Sequence, residues 1–250
     1  MTTTILDTGL DTGLLATDRV DGQAGGSGVA DAGTSPATYD AMRHAMVASQ
    51  LRTNAVNDQR VVAAMARVPR EQFMPADVRS IAYRDTAIPL GGGRYANLPM
   101  ATGRLLTEAY LTATDRVLLI GAATGYTAAV LSEIVGSVVA VESDPALLAV
   151  ARTALAGVGN VELVEGPMAE GHPGRAPYDV LIVDGAIDSV PDALIAQVRT
   201  DGRVAAGIAE RGLTRLASGR KTDGGFALVA FVDVECVTLP GFETPKPFKF

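Results

Sequence analysis

Short apolar runs alternate with helical patterns over most of the chain. Runs typical of buried strands lie at 117–120, 138–141, 161–164 and 178–183. Between them, apolar residues recur at helical spacing, which predicts alternating strands and helices in a mostly parallel sheet. Two further apolar stretches flank the turn sequence TDGG at 222–225, which indicates an antiparallel hairpin at one edge of that sheet.

Two helices are predicted before the first of these strands. Ser35-Pro36 combines an N-cap residue with proline at the first helical position, and Asn57 or Asp58 begins a second helix that Val68-Pro69 ends. Residues 73–103 are interpreted as loop-rich, with the next helix expected around Leu105. Three consecutive glycines at 91–93 favour a loop beside a ligand, and a flexible connector is the alternative.

Composition narrows the class of protein. A chain of 250 residues with 48% hydrophobic composition can bury a large core. A net charge of −7 argues against a broad nucleic-acid surface, and no apolar run is long enough to span a membrane. The aspartates among the first 18 residues are unlike a secretory signal. The single Cys236 cannot form an intramolecular disulfide, so we expect a cytoplasmic protein with a buried structural thiol.

Residues 117–144 combine a strand, a small-residue turn (GAATG at 121–125), a helix, a second strand and an acid. Glycines at 121 and 125 let the backbone approach a ligand. Glu142, at the end of the second strand, can accept hydrogen bonds from the hydroxyls of a ribose. Asp184 ends a later strand at the same predicted edge. The alternatives are a surface acid for Glu142 and a helix cap for Asp184.

Several motifs of the chain occur in the order and spacing of one known family. They are VPREQF at 68–73, YRD at 83–85, IPLGGG at 88–93, VLLIGAATGY at 117–126 and YDVLIV at 178–183. The sequence resembles the protein-L-isoaspartate O-methyltransferases from about residue 42 to residue 237, and its ending resembles a divergent bacterial branch. The resemblance implies an α/β fold of the Rossmann-like class I methyltransferases, with a mostly parallel doubly wound sheet, an antiparallel C-terminal hairpin and N-terminal helices.

The resemblance also implies a domain organisation. Residues 1–35, which begin with a repeated Asp-Thr-Gly-Leu, are interpreted as a flexible tail, with a docked helical turn as the alternative. Residues 36–250 are interpreted as one methyltransferase-like domain. Within it, 36–104 hold helices and substrate-side loops, 105–212 form the cofactor-binding core, and 213–250 form the C-terminal hairpin and tail.

The implied reaction transfers a methyl group from S-adenosylmethionine to the carboxylate of an isoaspartyl residue in a damaged protein or peptide, leaving S-adenosylhomocysteine. No metal is implied, because the sulfonium activates the methyl group and a carboxylate is already ionised at neutral pH. The resemblance assigns catalytic roles to two positions and cofactor binding to six. The catalytic candidates are Asn97 and Asp85; the cofactor-binding candidates are Gly121, Ala123, Gly125, Tyr126, Glu142 and Asp184.

Four positions depart from the family pattern. Asn97 stands at the position of a serine associated with catalysis, and Ala123 replaces the second glycine of the turn. Leu119 and Pro167 stand where the family has acids, with Glu165 or Glu170 nearby as substitutes. Asp85 and Tyr83 have the alternative role of tying down their loop.

Three hypotheses of function remain open. The first is a methyltransferase for isoaspartyl residues or for another acceptor, and the second is a binding module that kept the fold and lost catalysis. The third, a nicotinamide-dependent oxidoreductase, ranks last because 121–125 lacks the G-x-G-x-x-G spacing. The sequence leaves the oligomeric state open.

Overall fold

The structure, a computed structural model, describes residues 35–243, which belong to a single compact unit. The predicted tail at 1–35 lies outside the described residues, apart from Ser35. The helices are α1 (Pro36–Met46), α2 (Gln59–Arg67), α3 (Pro99–Glu108), α4 (Tyr126–Ser132), α5 (Pro145–Ala154) and α6 (Asp192–Ala196). Across residues 35–243, every helix is too short or too polar to cross a lipid bilayer.

The strands are β1 (Ile88–Gly91), β2 (Arg94–Ala96), β3 (Arg116–Ile120), β4 (Ser137–Glu142), β5 (Val161–Glu165), β6 (Tyr178–Ile187), β7 (Val198–Glu210), β8 (Leu213–Thr222) and β9 (Gly225–Asp233). Within the described residues, seven of them form the main sheet in the order β5-β4-β3-β6-β7-β8-β9, and a separate hairpin pairs β1 with β2. Strands β3 to β7 pair in parallel, whereas β8 and β9 extend the sheet antiparallel. This arrangement confirms the predicted fold class.

The central strands are buried on both faces, as their continuous apolar runs predict. Along β3, Val117 and Leu119 belong to one apolar cluster, which also receives α2, α3 and α4. Leu118 and Ile120 point to the opposite face, where they meet β6 and the C-terminal Leu239. The alternation of one strand between two apolar layers explains why this part of the chain shows no polar face.

The two N-terminal helices begin where their capping residues predict. Ser35 Oγ accepts a hydrogen bond from Thr38 N–H at 3.3 Å, and Asp58 Oδ1 accepts one from Arg60 N–H at 2.8 Å. The side chain of Arg60 also donates to this carboxylate, which is the largest cause that lowers the pKa of Asp58. Both helix starts are therefore confirmed.

The prediction for residues 73–103 is partly wrong, because this segment contains ordered elements. The glycines at 91–93 link β1 to β2 with φ values of 95°, 57° and 75°, a left-handed backbone that glycine tolerates. Helix α3 begins at Pro99, six residues before Leu105. One cause is local, because proline suits the first helical position. The other is a tertiary contact: Asp85 Oδ1, 15 residues earlier in the chain, accepts the hydrogen bond of Met100 N–H at 3.0 Å.

The predicted C-terminal hairpin is confirmed as β8 and β9, and the chain then returns to the end of β6. Ala186 N–H donates to Val237 O at 2.7 Å, and Leu239 N–H donates to Ala186 O at 2.9 Å. These bonds place Leu239 against the central strands, where it is 3% exposed. The predicted burial of Cys236 is also confirmed.

Candidate active site

The carboxyl ends of β3, β4 and β6 form one cleft, as expected for an open parallel sheet. Ile120 pairs with Val141 on one side and with Val183 on the other. Because these pairs fix the register, the residues that come next after them, Gly121, Glu142 and Asp184, meet at the same edge. The structure therefore brings together the glycine turn, Glu142 and Asp184. Strand β6 continues to Ile187, so the prediction that it ends at Asp184 is wrong: Asp184 lies within the strand, where its pairing with β7 is irregular.

Both glycines of the turn are required, because each has a left-handed backbone and leaves no room for a side chain. Gly121 and Gly125 have φ values of 83° and 98°, in the left-handed region. A Cβ atom on either would lie 2.9 Å from a leucine methyl, of Leu239 and Leu155 respectively. Ala123 has a φ of 47° although it carries a side chain, which costs about 1–2 kcal/mol.

Glu142 is fully buried, so the alternative of a surface acid is wrong. Arg94 on β2 forms a bidentate ion pair with it, with Nη1 at 2.5 Å from Oε1 and Nη2 at 3.0 Å from Oε2. Three backbone N–H groups also donate to this carboxylate. Ala123 lies 2.8 Å from Oε2, and Ser143 and Asp144 lie 2.9 and 3.0 Å from Oε1.

The hydroxyl of Ser143 is a further, long donor at 3.5 Å from Oε1. Together these donors fill the acceptor positions of Glu142, because a carboxylate offers about four lone-pair sites. Arg94 was not among the predicted site residues. Its position directly after three glycines, in a loop interpreted as close to a ligand, could have indicated a cation of the site. Its partner lies 48 residues further along the chain, and no local pattern connects the two positions.

Asp184 forms the other end of the cleft with neutral donors. Asn97 Nδ2 and Thr102 Oγ1 each donate to Oδ1 at 2.9 Å, and Thr127 Oγ1 donates to Oδ2 at 2.5 Å. Asp184 lines the cleft and caps no helix in this arrangement. Both threonines were missed, although Thr127 lies in the first turn of the helix that follows the glycine turn.

Asn97 connects three parts of the molecule through its side chain. Its amide nitrogen donates to Asp184, while Oδ1 accepts from the N–H groups of Leu98 at 3.1 Å and Val237 at 3.3 Å. The neighbouring Cys236 thiol is buried, which together with the charge of Asp184 raises its pKa to about 12. Asn97 therefore fixes β2 to the end of β6 and to the C-terminal segment.

Arg70 and Tyr126 also line this cleft. Arg70 is 1% exposed and donates to Ala82 O at 2.9 Å and Asn97 O at 2.6 Å. Its guanidinium lies 4.6 Å from the ring centre of Tyr126. Burial lowers the pKa of Arg70 and raises the pKa of Tyr126 to about 12. The Tyr126 hydroxyl is buried without a hydrogen-bond partner in the part of the chain that the structure describes.

The donor and acceptor groups of the cleft fit a nucleoside-like cofactor. Glu142 supplies a carboxylate beside a glycine turn, and Tyr126 supplies a hydroxyl that lacks a partner. The cavity between the walls is about 20 Å³, enough for roughly one water molecule. A ligand pocket is typically about 300 Å³ or larger. A cofactor therefore requires that a side chain of the wall, such as Arg94 or Leu239, moves aside.

One known protein family matches most of this chain. The family described as "Protein-L-isoaspartate(D-aspartate) O-methyltransferase" matches residues 42–243. The chain belongs to this family.

Relatives in the family are similar over most of their length. A protein-L-isoaspartate O-methyltransferase of Methanoculleus marisnigri is 35% identical over 201 residues, which cover 80% of this chain and 91% of the relative. A solved protein-L-isoaspartate O-methyltransferase structure is 25% identical, with a TM-score of 0.71, over 82% of this chain and 67% of that one. A Plasmodium falciparum structure, titled as a putative member in complex with S-adenosyl-L-homocysteine, is 15% identical over 81% of this chain and 98% of that one, with a TM-score of 0.66. At that identity it supports the fold alone.

Several predicted positions lie outside the cleft of this family member. Asp85 is exposed and binds the start of α3, so the geometry supports its alternative role of tying down the loop. Leu119 is buried in the apolar cluster between β3 and the helices α2, α3 and α4. Pro167, Glu165 and Glu170 are exposed, and neither glutamate lines the cleft. Within residues 35–243, no group of His, Cys, Asp and Glu side chains is arranged to hold a metal ion.

Proposed function

We propose that this protein is a methyltransferase that uses S-adenosylmethionine, releases S-adenosylhomocysteine and acts on the carboxylate of isoaspartyl residues. One observation carries the proposal within this family: the buried Glu142 lies against the glycine turn, 2.8 Å from the N–H of Ala123. A carboxylate at this place can accept hydrogen bonds from both hydroxyls of a ribose. Gly121 lines the cleft, where a side chain would meet Leu239, and Gly125 lets the turn pack closely on Leu155 and Ala151 of the neighbouring segment.

The residues of the cleft position the reactants. The bound cofactor supplies a methyl group that its sulfonium already activates. The acceptor carboxylate is ionised at neutral pH, so Asp184 has no proton to remove and instead holds Asn97 and Thr127 in place. Effective catalysis then depends on how these groups align the acceptor oxygen with the methyl carbon.

We further propose that the partner is a damaged protein or peptide and that the reaction takes place in the cytoplasm. The net charge of −7 disfavours nucleic acid as the partner, because the backbone phosphates would be repelled. The one cysteine of the chain, Cys236, is a free thiol, which suits a reducing compartment.

The deciding experiment compares an isoaspartyl peptide with its normal aspartyl twin. We expect methyl ester on the isoaspartyl peptide alone, measured by mass spectrometry before the ester cyclises. Glu142→Gln, which keeps the size of the side chain, should reduce this transfer. Equal transfer to both peptides, or transfer to neither while S-adenosylhomocysteine still binds, would reject isoaspartate as the acceptor.

One observation favours a second candidate, a family member with another acceptor or with binding alone. The side chain of Asn97 uses both lone pairs of Oδ1 and one of its two amide hydrogens on other groups of the protein, so at most one hydrogen is left for an acceptor carboxylate. Calorimetric binding of S-adenosylhomocysteine without transfer to the isoaspartyl peptide would favour this candidate.

A further inference from the structure

Arg94 occupies the groups of Glu142 that a ribose would use. The guanidinium donates to both carboxylate oxygens, at 2.5 and 3.0 Å. Arg94 is 8% exposed and Glu142 is fully buried, so solvent weakens this pair little. Since backbone N–H groups fill the remaining acceptor positions, ribose hydroxyls and Arg94 compete for the same oxygens.

The position of Arg94 in the chain allows it to leave. It follows three glycines that all have left-handed φ values, at the turn of the small β1–β2 hairpin. A cavity of about 270 Å³ lies beside the hairpin turn, between Gly92, Gly93 and the segment 238–240, with Arg94 and Glu243 in its lining. The guanidinium therefore has room and a second carboxylate on the outer side of the hairpin.

We propose that Arg94 is a latch that holds the cofactor cleft closed through Glu142 and must leave Glu142 before the ribose binds. The inference rests on the proposed function, because it needs Glu142 as the ribose acceptor. It assigns to Arg94 control of cofactor affinity without contact with the reacting atoms. Arg94 is thus a positioning residue that acts through Glu142.

The latch predicts a weaker apparent affinity than the open cleft would have. The apparent dissociation constant equals the intrinsic one divided by the open fraction, so a pair formed about nine-tenths of the time weakens binding about tenfold. A residue that contacts the cofactor has the opposite effect, because its removal weakens binding. The sign of the change on removing Arg94 therefore separates the two roles.

The test measures binding of S-adenosylhomocysteine to the full-length protein by calorimetry and by surface plasmon resonance. Arg94→Met keeps the length of the side chain and removes the charge. We expect binding about tenfold tighter than wild type, with the gain in the association rate. Arg94→Lys keeps the charge and loses the bidentate fork, so its affinity should fall between the two.

Arg203→Met is the matched control. Arg203 pairs with Asp115 at 2.6 Å, and both side chains are largely buried away from the cleft. This change also breaks a buried ion pair, so it controls for loss of stability, which melting curves with and without ligand measure. We expect its affinity for S-adenosylhomocysteine to equal that of wild type.

Three results would overturn the latch: equal or weaker binding by Arg94→Met, an equal gain in Arg203→Met, or a gain confined to the dissociation rate. A failure of the proposed function is distinguishable from these. In that case neither wild type nor the folded Arg94 variants bind S-adenosylhomocysteine at millimolar concentration, and the latch falls with it.

Discussion

The two ends of the cleft hold their buried carboxylates by different means. Glu142 pairs with a cation on a glycine-linked hairpin, and its other close donors, within 3.0 Å, are backbone N–H groups. Asp184 accepts hydrogen bonds from the neutral side chains of Asn97, Thr102 and Thr127, which come from three separate segments. The first arrangement leaves one partner that a ligand can replace, whereas the second ties the scaffold together.

The difference shows why the burial of an acid does not by itself identify a binding group. Each carboxylate comes directly after a residue paired with Ile120 of β3, and both are at most 9% exposed. What separates them is the charge of their side-chain partners and the number of side chains that supply the hydrogen bonds. A single cation can be exchanged for two ribose hydroxyls, but three neutral donors from different elements cannot leave without loosening the fold.

The largest effect is expected from Glu142→Ala. This change leaves the backbone N–H groups of Ala123, Ser143 and Asp144 without their buried acceptor, which should lower the free energy of unfolding by about 3–5 kcal/mol. It should also weaken binding of S-adenosylhomocysteine at least about tenfold, because the acceptor for the ribose is lost. Urea unfolding and calorimetry measure the two quantities.

Glu133→Ala serves as the control for Glu142→Ala, since it removes an acid paired with Arg67 at the surface. Exposed pairs contribute little, so we expect a change below about 1 kcal/mol and unchanged binding. If Glu142→Ala changed stability and binding no more than this control, Glu142 would not be the group that binds the ribose at this end of the cleft.

A smaller effect is expected from Asp184→Ala. The amide of Asn97 loses its acceptor while the threonine hydroxyls can turn to other partners, so stability should fall by about 1–3 kcal/mol. Affinity for S-adenosylhomocysteine should fall less than in Glu142→Ala. An increase in affinity, as predicted for Arg94→Met, would show that the Asp184 end is also exchangeable.

The smallest effect is expected on the pH dependence of stability, through the thiol of Cys236 beside Asn97 and Asp184. Burial raises the pKa of Cys236 to about 12, whereas an unfolded cysteine ionises near pH 8.5. Because the folded pKa is the higher one, this contribution to stability is present below pH 8.5 and is lost as pH rises toward 12. At pH 9.5 the loss is about 1.4 kcal/mol.

Urea unfolding of wild type and Cys236→Ala at pH 7.5 and pH 9.5 measures that loss. We expect stability to fall more between the two pH values in wild type than in the variant. An equal fall in both would mean that the thiol titrates as in solvent and that the Asp184 end is open.

The sequence determined the fold because periodicity and turn chemistry are local properties. The apolar runs of β3, β4 and β6 need burial on two faces, and the glycines at 121 and 125 need left-handed φ. These requirements depend on residues that are close in sequence, so they can be recognised without knowing which distant residues they contact. The same reasoning placed Glu142 and Asp184 at one edge of the sheet, since parallel strands end together.

Only the tertiary structure decided what each acid contacts. Arg94 lies 48 residues from Glu142, and Asn97 lies 87 residues from Asp184, so their pairing depends on how the hairpin packs on the sheet. The same packing turned Asp85 toward the start of α3 and away from the cleft. A chemical group can be predicted from its residue type, but its partner is chosen by elements that meet only when the chain folds.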